Sequence, residues 1–280
     1  MTELLEALLD PEFAFLRYAF IAGALASVAF GIMGTYVVAR RISYLAGSIA
    51  HCVLGGIGAA LYANRALGWS WIQPMHGAVV AALLAAITIG LVSLYAKQRE
   101  DTVIGALWAT GMAVGLLFLA RTPGYTNAMS YLFGDIMMIG IQDVWLVLGL
   151  DVVVVTLATV FYHKFLAVCF DEQFARLRGV NVEAFYVLLL CLTAVTIVLL
   201  VQIVGIVMVI ALLTLPAAVG SHFSRRLWQM MAMSVLCCLI FVVLGLGCSY
   251  SWNLPAGPVI IVFAAISYLT VALLYRFRTG

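Results

Sequence analysis

The chain has 280 residues, 66% of them hydrophobic and only 9% charged, and its mean hydropathy is +1.17. A soluble domain carries about 25% charged residues, so the two-domain soluble enzyme that this length suggests is excluded. A net charge of +2 spread over scattered basic pairs excludes nucleic-acid binding as well.

The first residues are acidic (Glu3, Glu6, Asp10 and Glu12) and lack the positive n-region of a signal peptide. The apolar stretch behind them is longer than a signal-peptide core, so it is expected to be retained. A helix needs about 20 apolar residues to cross the hydrocarbon core. That ruler gives spans at 15–39, 43–62, 76–95, 102–120, 139–162, 185–201, 204–220, 229–247 and 258–275. The runs are too long and too continuous for barrel strands, and a helix satisfies its own backbone in lipid. The expected fold is therefore all-α: a polytopic transmembrane helical bundle forming one membrane domain over residues 1–280. Only Gln202 and Ile203 separate the sixth and seventh spans, so nine spans are expected, with eight full crossings as the variant.

Placing the N-terminus outside and the C-terminus inside collects most of the basic residues on the inner face. These are Arg40 and Arg41; Lys97 and Arg99; Lys164, Arg176 and Arg178; Arg225 and Arg226; and Arg276 and Arg278. Only Arg17, Arg65 and Arg121 of the 14 then lie outside. Small residues recur every four positions in the first span (Gly23, Ser27, Gly31), and Gly111 and Gly115 form a GxxxG in the fourth. Such faces let helix backbones approach closely.

The second span carries the most informative face. Ser43, Gly47, His51, Gly55 and Ala59 are spaced by four and share one side of a helix. His51 lies about 12 Å along the axis from Ser43, near the membrane midplane. Ionisable side chains at that depth face an interior or a cavity. Glycine on both adjacent turns is expected to leave room beside the ring. Imidazole suits zinc, copper, iron or nickel. A histidine paired with a neighbouring carbonyl is the alternative. Asp151 is the second ionisable residue at depth, with Gly149, Leu150, Val152 and Val153 around it. It is either an ion-path carboxylate or, if its span begins at Val152, an interfacial cap. His76, His163 and His222 fall at span ends, and Glu100, Asp101 and Thr102 open the fourth span as ordinary capping residues.

The longest polar stretch on the inner side is Phe170-Asp-Glu-Gln-Phe-Ala-Arg-Leu-Arg-Gly179. It suits a short amphipathic helix stopped by Gly179, of the kind a cytosolic motor would grip, or a plain surface loop. Enzymatic apparatus is missing from the pattern: there is no P-loop, HExxH, GxSxG or strand-borne GxGxxG. The six cysteines form no CxxC pair and most lie inside apolar runs.

Five segments in order resemble the membrane permeases of zinc/manganese/iron-type ABC importers. They are Gly34-Thr-Tyr-Val-Val-Ala-Arg-Arg-Ile-Ser43 running on to His51-Cys-Val-Leu-Gly-Gly56; Glu100-Asp-Thr-Val-Ile-Gly105; Ser130-Tyr-Leu-Phe-Gly134; Phe170-Asp171 with Ala175 and Gly179; and Gly205 leading to Ala211-Leu-Leu-Thr-Leu-Pro-Ala-Ala218. The resemblance implies a homodimeric permease of the bacterial inner membrane. It implies a separate cytosolic ATPase, a separate extracytoplasmic metal-binding protein, and a divalent zinc, manganese or iron ion as cargo rather than a resident cofactor. His51 matches the family histidine that handles metal, and Phe170, Asp171, Glu172, Ala175 and Gly179 match the ATPase-docking stretch. Two positions depart from the pattern. Gly47 stands where the family usually has Asp, which leaves the metal open, and Asp151 is the candidate substitute from another helix. Gln173 stands where an acidic residue is frequent. Readings of other classes are an ion-coupled secondary transporter working through Asp151, a haem-binding membrane redox protein using His51 and a second histidine, and a permease for a large chelate.

Overall fold

The computed structural model describes residues 14–95, 100–124, 128–134 and 139–279. The acidic N-terminal residues Glu3, Glu6, Asp10 and Glu12, and Lys97 and Arg99, lie outside the described residues. The side chains of Glu100, Ser130, Arg276 and Arg278 do so too. The described residues form twelve helices and no strand. In chain order these are α1 Ala14–Ala39, α2 Ser43–Ala66, α3 Pro74–Tyr95, α4 Glu100–Arg121, α5 Ala128–Phe133 and α6 Ile141–Val160. They continue with α7 Tyr162–Phe170, α8 Glu172–Leu177, α9 Val182–Val204, α10 Ile206–Phe223, α11 Leu227–Trp252 and α12 Ala256–Thr279.

Nine of the described helices are long and apolar enough to cross a membrane: α1 to α4, α6 and α9 to α12. They coincide with the nine spans expected from hydropathy, with ends shifted by a few residues. The junction between the sixth and seventh spans is moved. The helix runs on through Gln202 and Ile203 and breaks at Gly205, at φ +80°. Hydropathy places the turn at Gln202 and Ile203, the two residues between the expected spans. The backbone breaks instead where a missing Cβ admits positive φ.

The chain falls into two compact units. The first holds α1, α6, α10, α11 and α12, drawn from residues up to 38, 133–160 and from 203 onward. Its buried centre is α1, where the small-residue face read from sequence is in use. Gly31 abuts Val235 of α11, Gly34 abuts the Leu213 carbonyl of α10, and Ser27 donates to the Gly23 carbonyl at 2.7 Å. Thr35 links across to Ser234 at 3.2 Å. Tyr36 donates to the Ala158 carbonyl at 3.4 Å, and Asp151 approaches the Ala29 peptide. Both pairs step by seven residues, so α1 and α6 run in the same direction.

The second unit holds α2, α3, α4, α7, α8 and most of α9. Its centre is α2, with 89% of its spanning window buried. The GxxxG of α4 packs on it: a Cβ on Gly111 would lie 2.8 Å from Cys52 Cα, and one on Gly115 2.7 Å from the Leu54 carbonyl carbon. On the other side Gly56 and Gly77 of α3 press backbone to backbone, each filling the place where the other's Cβ would be. Replacing Gly56 with valine therefore forces two helices apart. Overpacking costs about 1–3 kcal/mol or more, and lipid supplies no hydrophobic drive to compensate. Gly56→Val is expected to lose most of the monodisperse, detergent-extracted protein and to lower its unfolding temperature. Gly149→Ala on α6, where an added Cβ meets nothing within 4 Å, is expected to melt like the parent.

Candidate metal path and coupling helix

His51 sits on the third turn of α2, 9% exposed, in the centre of the second unit. Helices α3 and α4 flank α2 through their glycines, and this holds the imidazole away from lipid. Its ring stacks on the Trp108 indole of α4, with centroids 4.5 Å apart and planes 26° apart. Trp108 in turn lies 5.6 Å from the ring of Tyr44, about two α2 turns from His51 toward the Arg40 end. His51 Nδ1 is buried without a hydrogen-bond partner. The nearby polar side chains are already committed to α4: Ser48 Oγ donates to the Ile104 carbonyl at 3.1 Å and Cys52 Sγ to the Leu107 carbonyl at 3.4 Å. The structure thus does not contain the alternative in which Nδ1 pairs with a neighbouring carbonyl.

The room expected beside the ring is occupied. A Cβ on Gly47 would lie 2.8 Å from Trp108 Cζ3, and one on Gly55 would lie 2.9 Å from the Gly111 carbonyl oxygen. Gly47 makes space for an indole and Gly55 for a helix backbone. Ser43 opens the same face at the helix N-terminus and is half-buried. Beyond Tyr44 a cavity of about 390 Å³ opens, lined among others by Arg40, Arg41, Tyr44, Asp101, Glu172 and Tyr186. The order from the cavity inward is Tyr44, Trp108, His51. Sequence reasoning missed Trp108. The signal was present: Trp108, Gly111 and Gly115 share one face of α4, so the GxxxG that meets α2 carries the indole with it.

Asp151 lies ten residues into α6 and is 6% exposed, so it is not an interfacial cap. Asp143, in the first turn, accepts from the Gly140 N–H at 3.0 Å instead. Neither Asp151 oxygen has a hydrogen-bond partner, and Ala29 approaches without bonding geometry. Among the described residues no three of His, Cys, Asp and Glu gather as a preformed metal cage. His76 and His163 are exposed at helix ends. His222 contacts the Ala218 carbonyl at 2.9 Å, with its ring 5.1 Å from that of Tyr275.

The 170–179 stretch forms a short helix rather than a loop. The Asp171 carboxylate caps α8 by accepting from the Phe174 N–H at 2.9 Å. Gly179 ends it at φ +74°, with Gly179 N–H donating to Arg176 O and Val180 N–H to Ala175 O, both at 3.0 Å. This is a Schellman stop, which a glycine enters without a Cβ penalty. Ala175 is fully buried, while Phe170, Phe174 and Leu177 are exposed at 66%, 49% and 87%. Glu172 pairs with Arg40, in the link between α1 and α2, and the Arg40 guanidinium also lies 5.3 Å above the Tyr186 ring. Arg176 reaches Glu183 at 3.7 Å, and Tyr95 donates to the same carboxylate at 2.6 Å. The capped helix is thereby held by one buried side chain and two charged pairs, with three apolar side chains facing out.

Comparison with known proteins adds the following. A family model described as the ABC 3 transport family matches residues 12–275. A probable metal transport system membrane protein of Chlamydia pneumoniae is 36% identical, over 89% of this chain and 85% of that protein. The manganese import system permease protein ScaB of Streptococcus parasanguinis is 29% identical, over 96% of this chain and 93% of that protein. Among solved structures, PsaBC from Streptococcus pneumoniae in complex with Fab superposes with a TM-score of 0.84 at 28% identity, covering 96% of this chain and 94% of that one.

Proposed function

The chain belongs to the ABC 3 transport family, and on that premise we propose that it is the membrane permease subunit of an ATP-driven importer of a divalent transition metal. The observation that carries the reading is His51: an imidazole at mid-span depth, buried beside glycine-thinned helices, with Nδ1 unpartnered. A single imidazole holds a passing cation weakly, and conduction requires binding weak enough to release. The metal is cargo here. Zinc and iron suit imidazole, and manganese is added by the likeness to the manganese import system permease ScaB of Streptococcus parasanguinis.

Hydrolysis of ATP belongs to a separate cytosolic chain that grips α8, whose exposed Phe170, Phe174 and Leu177 suit a protein partner. An extracytoplasmic metal-binding protein delivers the ion to the opposite face, and two copies of the permease form the pathway. This assignment uses the orientation with Arg40, Arg41, Arg225 and Arg226 inside a bacterial plasma membrane. The test is metal uptake into vesicles that carry the complete system. Uptake is expected to need ATP and to persist when ion gradients are collapsed. Uptake that runs without ATP on an ion gradient overturns the proposal in favour of a secondary transporter.

Asp151, in the first compact unit, is the second buried group to which a role in transport is assigned. An unpaired carboxylate in a low-dielectric interior costs several kcal/mol, a cost that a ligand role justifies and packing does not. Asp151→Asn is expected to lower uptake severalfold while the unfolding temperature in detergent holds or rises. Unchanged uptake removes Asp151 from the mechanism.

A further inference from the structure

We infer that Trp108 sets the cation preference of the His51 site, an inference that rests on the metal-path reading above. A side chain at position 47 would stand one helical turn from His51 on the same face, the place from which a second ligand reaches the same ion. In this chain that volume belongs to Trp108, whose Cζ3 lies 2.8 Å from where a Gly47 Cβ would be. The indole also covers one face of the imidazole at 4.5 Å. Ser48 and Cys52, the remaining polar side chains nearby, are spent on carbonyls of α4. An ion at His51 therefore meets one imidazole nitrogen and an aromatic face. It meets no carboxylate from this helix face, and the indole fills the space that retained water would need.

Ions differ in what such a site offers them. Zinc and copper bind imidazole well, whereas manganese, magnesium and calcium favour carboxylate, carbonyl and water oxygens. The aromatic face contributes a non-directional attraction to any cation and replaces none of those oxygens. Trp108 thus tilts the site toward imidazole-seeking ions by excluding the oxygen ligands of the others. Its contact with Tyr44 at 5.6 Å places it between His51 and the 390 Å³ cavity, so the indole also stands in the way of water from the cavity.

The test uses the full chain in lipid nanodiscs, titrated with zinc chloride and with manganese chloride, and the readout is the ratio of the two dissociation constants. The parent is expected to hold zinc at least tenfold more tightly than manganese. Trp108→Ala is expected to shrink that ratio to about threefold or less by admitting water, with manganese binding improved. Gly47→Ala, which pushes the indole aside from the other helix, is expected to act in the same direction. It is also expected to add nothing once Trp108 is alanine. Trp108→Phe keeps an aromatic face and is expected to keep most of the preference. A ratio unchanged in both Trp108→Ala and Gly47→Ala, with zinc binding still lost in His51→Ala, overturns this inference alone. Zinc binding that survives His51→Ala overturns the metal-path reading beneath it.

Discussion

Replacing His51 with alanine is expected to lower metal uptake roughly ten- to a hundredfold, the range seen when even the supporting contacts of a metal ligand are removed. The protein is expected to reach the membrane in normal amounts. The reason lies in what the ring does not do. Its buried Nδ1 has no hydrogen-bond partner, so the substitution leaves no other polar group orphaned. The loss is one aromatic stack with Trp108, worth about 0.5–1.5 kcal/mol beyond area burial. The backbone contacts that hold α2 to α3 and α4 run through Gly55, Gly56 and Gly58 and do not involve the imidazole. Uptake and abundance should therefore separate. The measurement is radiometal uptake by cells carrying the whole system, normalised to immunoblotted permease. His51→Cys, which keeps a soft ligand, should recover part of the rate, and His51→Gln should not. Normal uptake by the alanine variant would take His51 out of the mechanism.

Much of this architecture could be read from the chain because a bilayer imposes a length rule. Each of the nine spans is an apolar run close to 20 residues, and charges occur mostly between runs. The α1 and α4 small-residue faces were legible for the same reason: a period near four survives in sequence whatever the partner helix is. What depends on contacts distant in sequence was not legible. The Arg40–Glu172 pair joins residues 132 positions apart, and no local pattern encodes it. The two glycines beside His51 suggest open space in sequence because a missing side chain states only what is absent. The occupants, an indole at one and a peptide carbonyl at the other, come from a helix that the face of α2 does not describe. Asp151 was ambiguous for a different reason. Hydropathy fixes span ends to a few residues only, and a carboxylate near an uncertain end reads equally as cap or core. The cap is Asp143, eight residues earlier, beside a Gly140 N–H that needs it.

Substitutions that loosen α8 are expected to separate ATP hydrolysis from transport. The helix has only six residues, Glu172–Leu177, too few to be stable by propensity, so its ends decide whether it exists. Asp171→Ala removes the N-cap, at a cost of about 1 kcal/mol. Gly179→Ala forces a Cβ into the left-handed region at a further 1–2 kcal/mol or so. The Glu172 carboxylate is the side chain that ties this helix to Arg40 in the link preceding α2. A push on Phe170, Phe174 and Leu177 would thereby arrive at Arg40, about three turns from His51, through one ion pair. Asp171→Ala, Gly179→Ala and Glu172→Gln are each expected to cut uptake at least fivefold, since one broken turn or one lost charge pair of about 1 kcal/mol already changes an equilibrium severalfold. Basal ATP hydrolysis by the assembled complex should persist and lose its stimulation by loaded metal-binding protein. Arg40→Glu combined with Glu172→Arg restores the pair with its sense reversed and should recover part of the uptake that either single change removes. Stimulated hydrolysis and ATPase docking that stay at parental levels in all three single variants would place the motor's grip elsewhere on the chain.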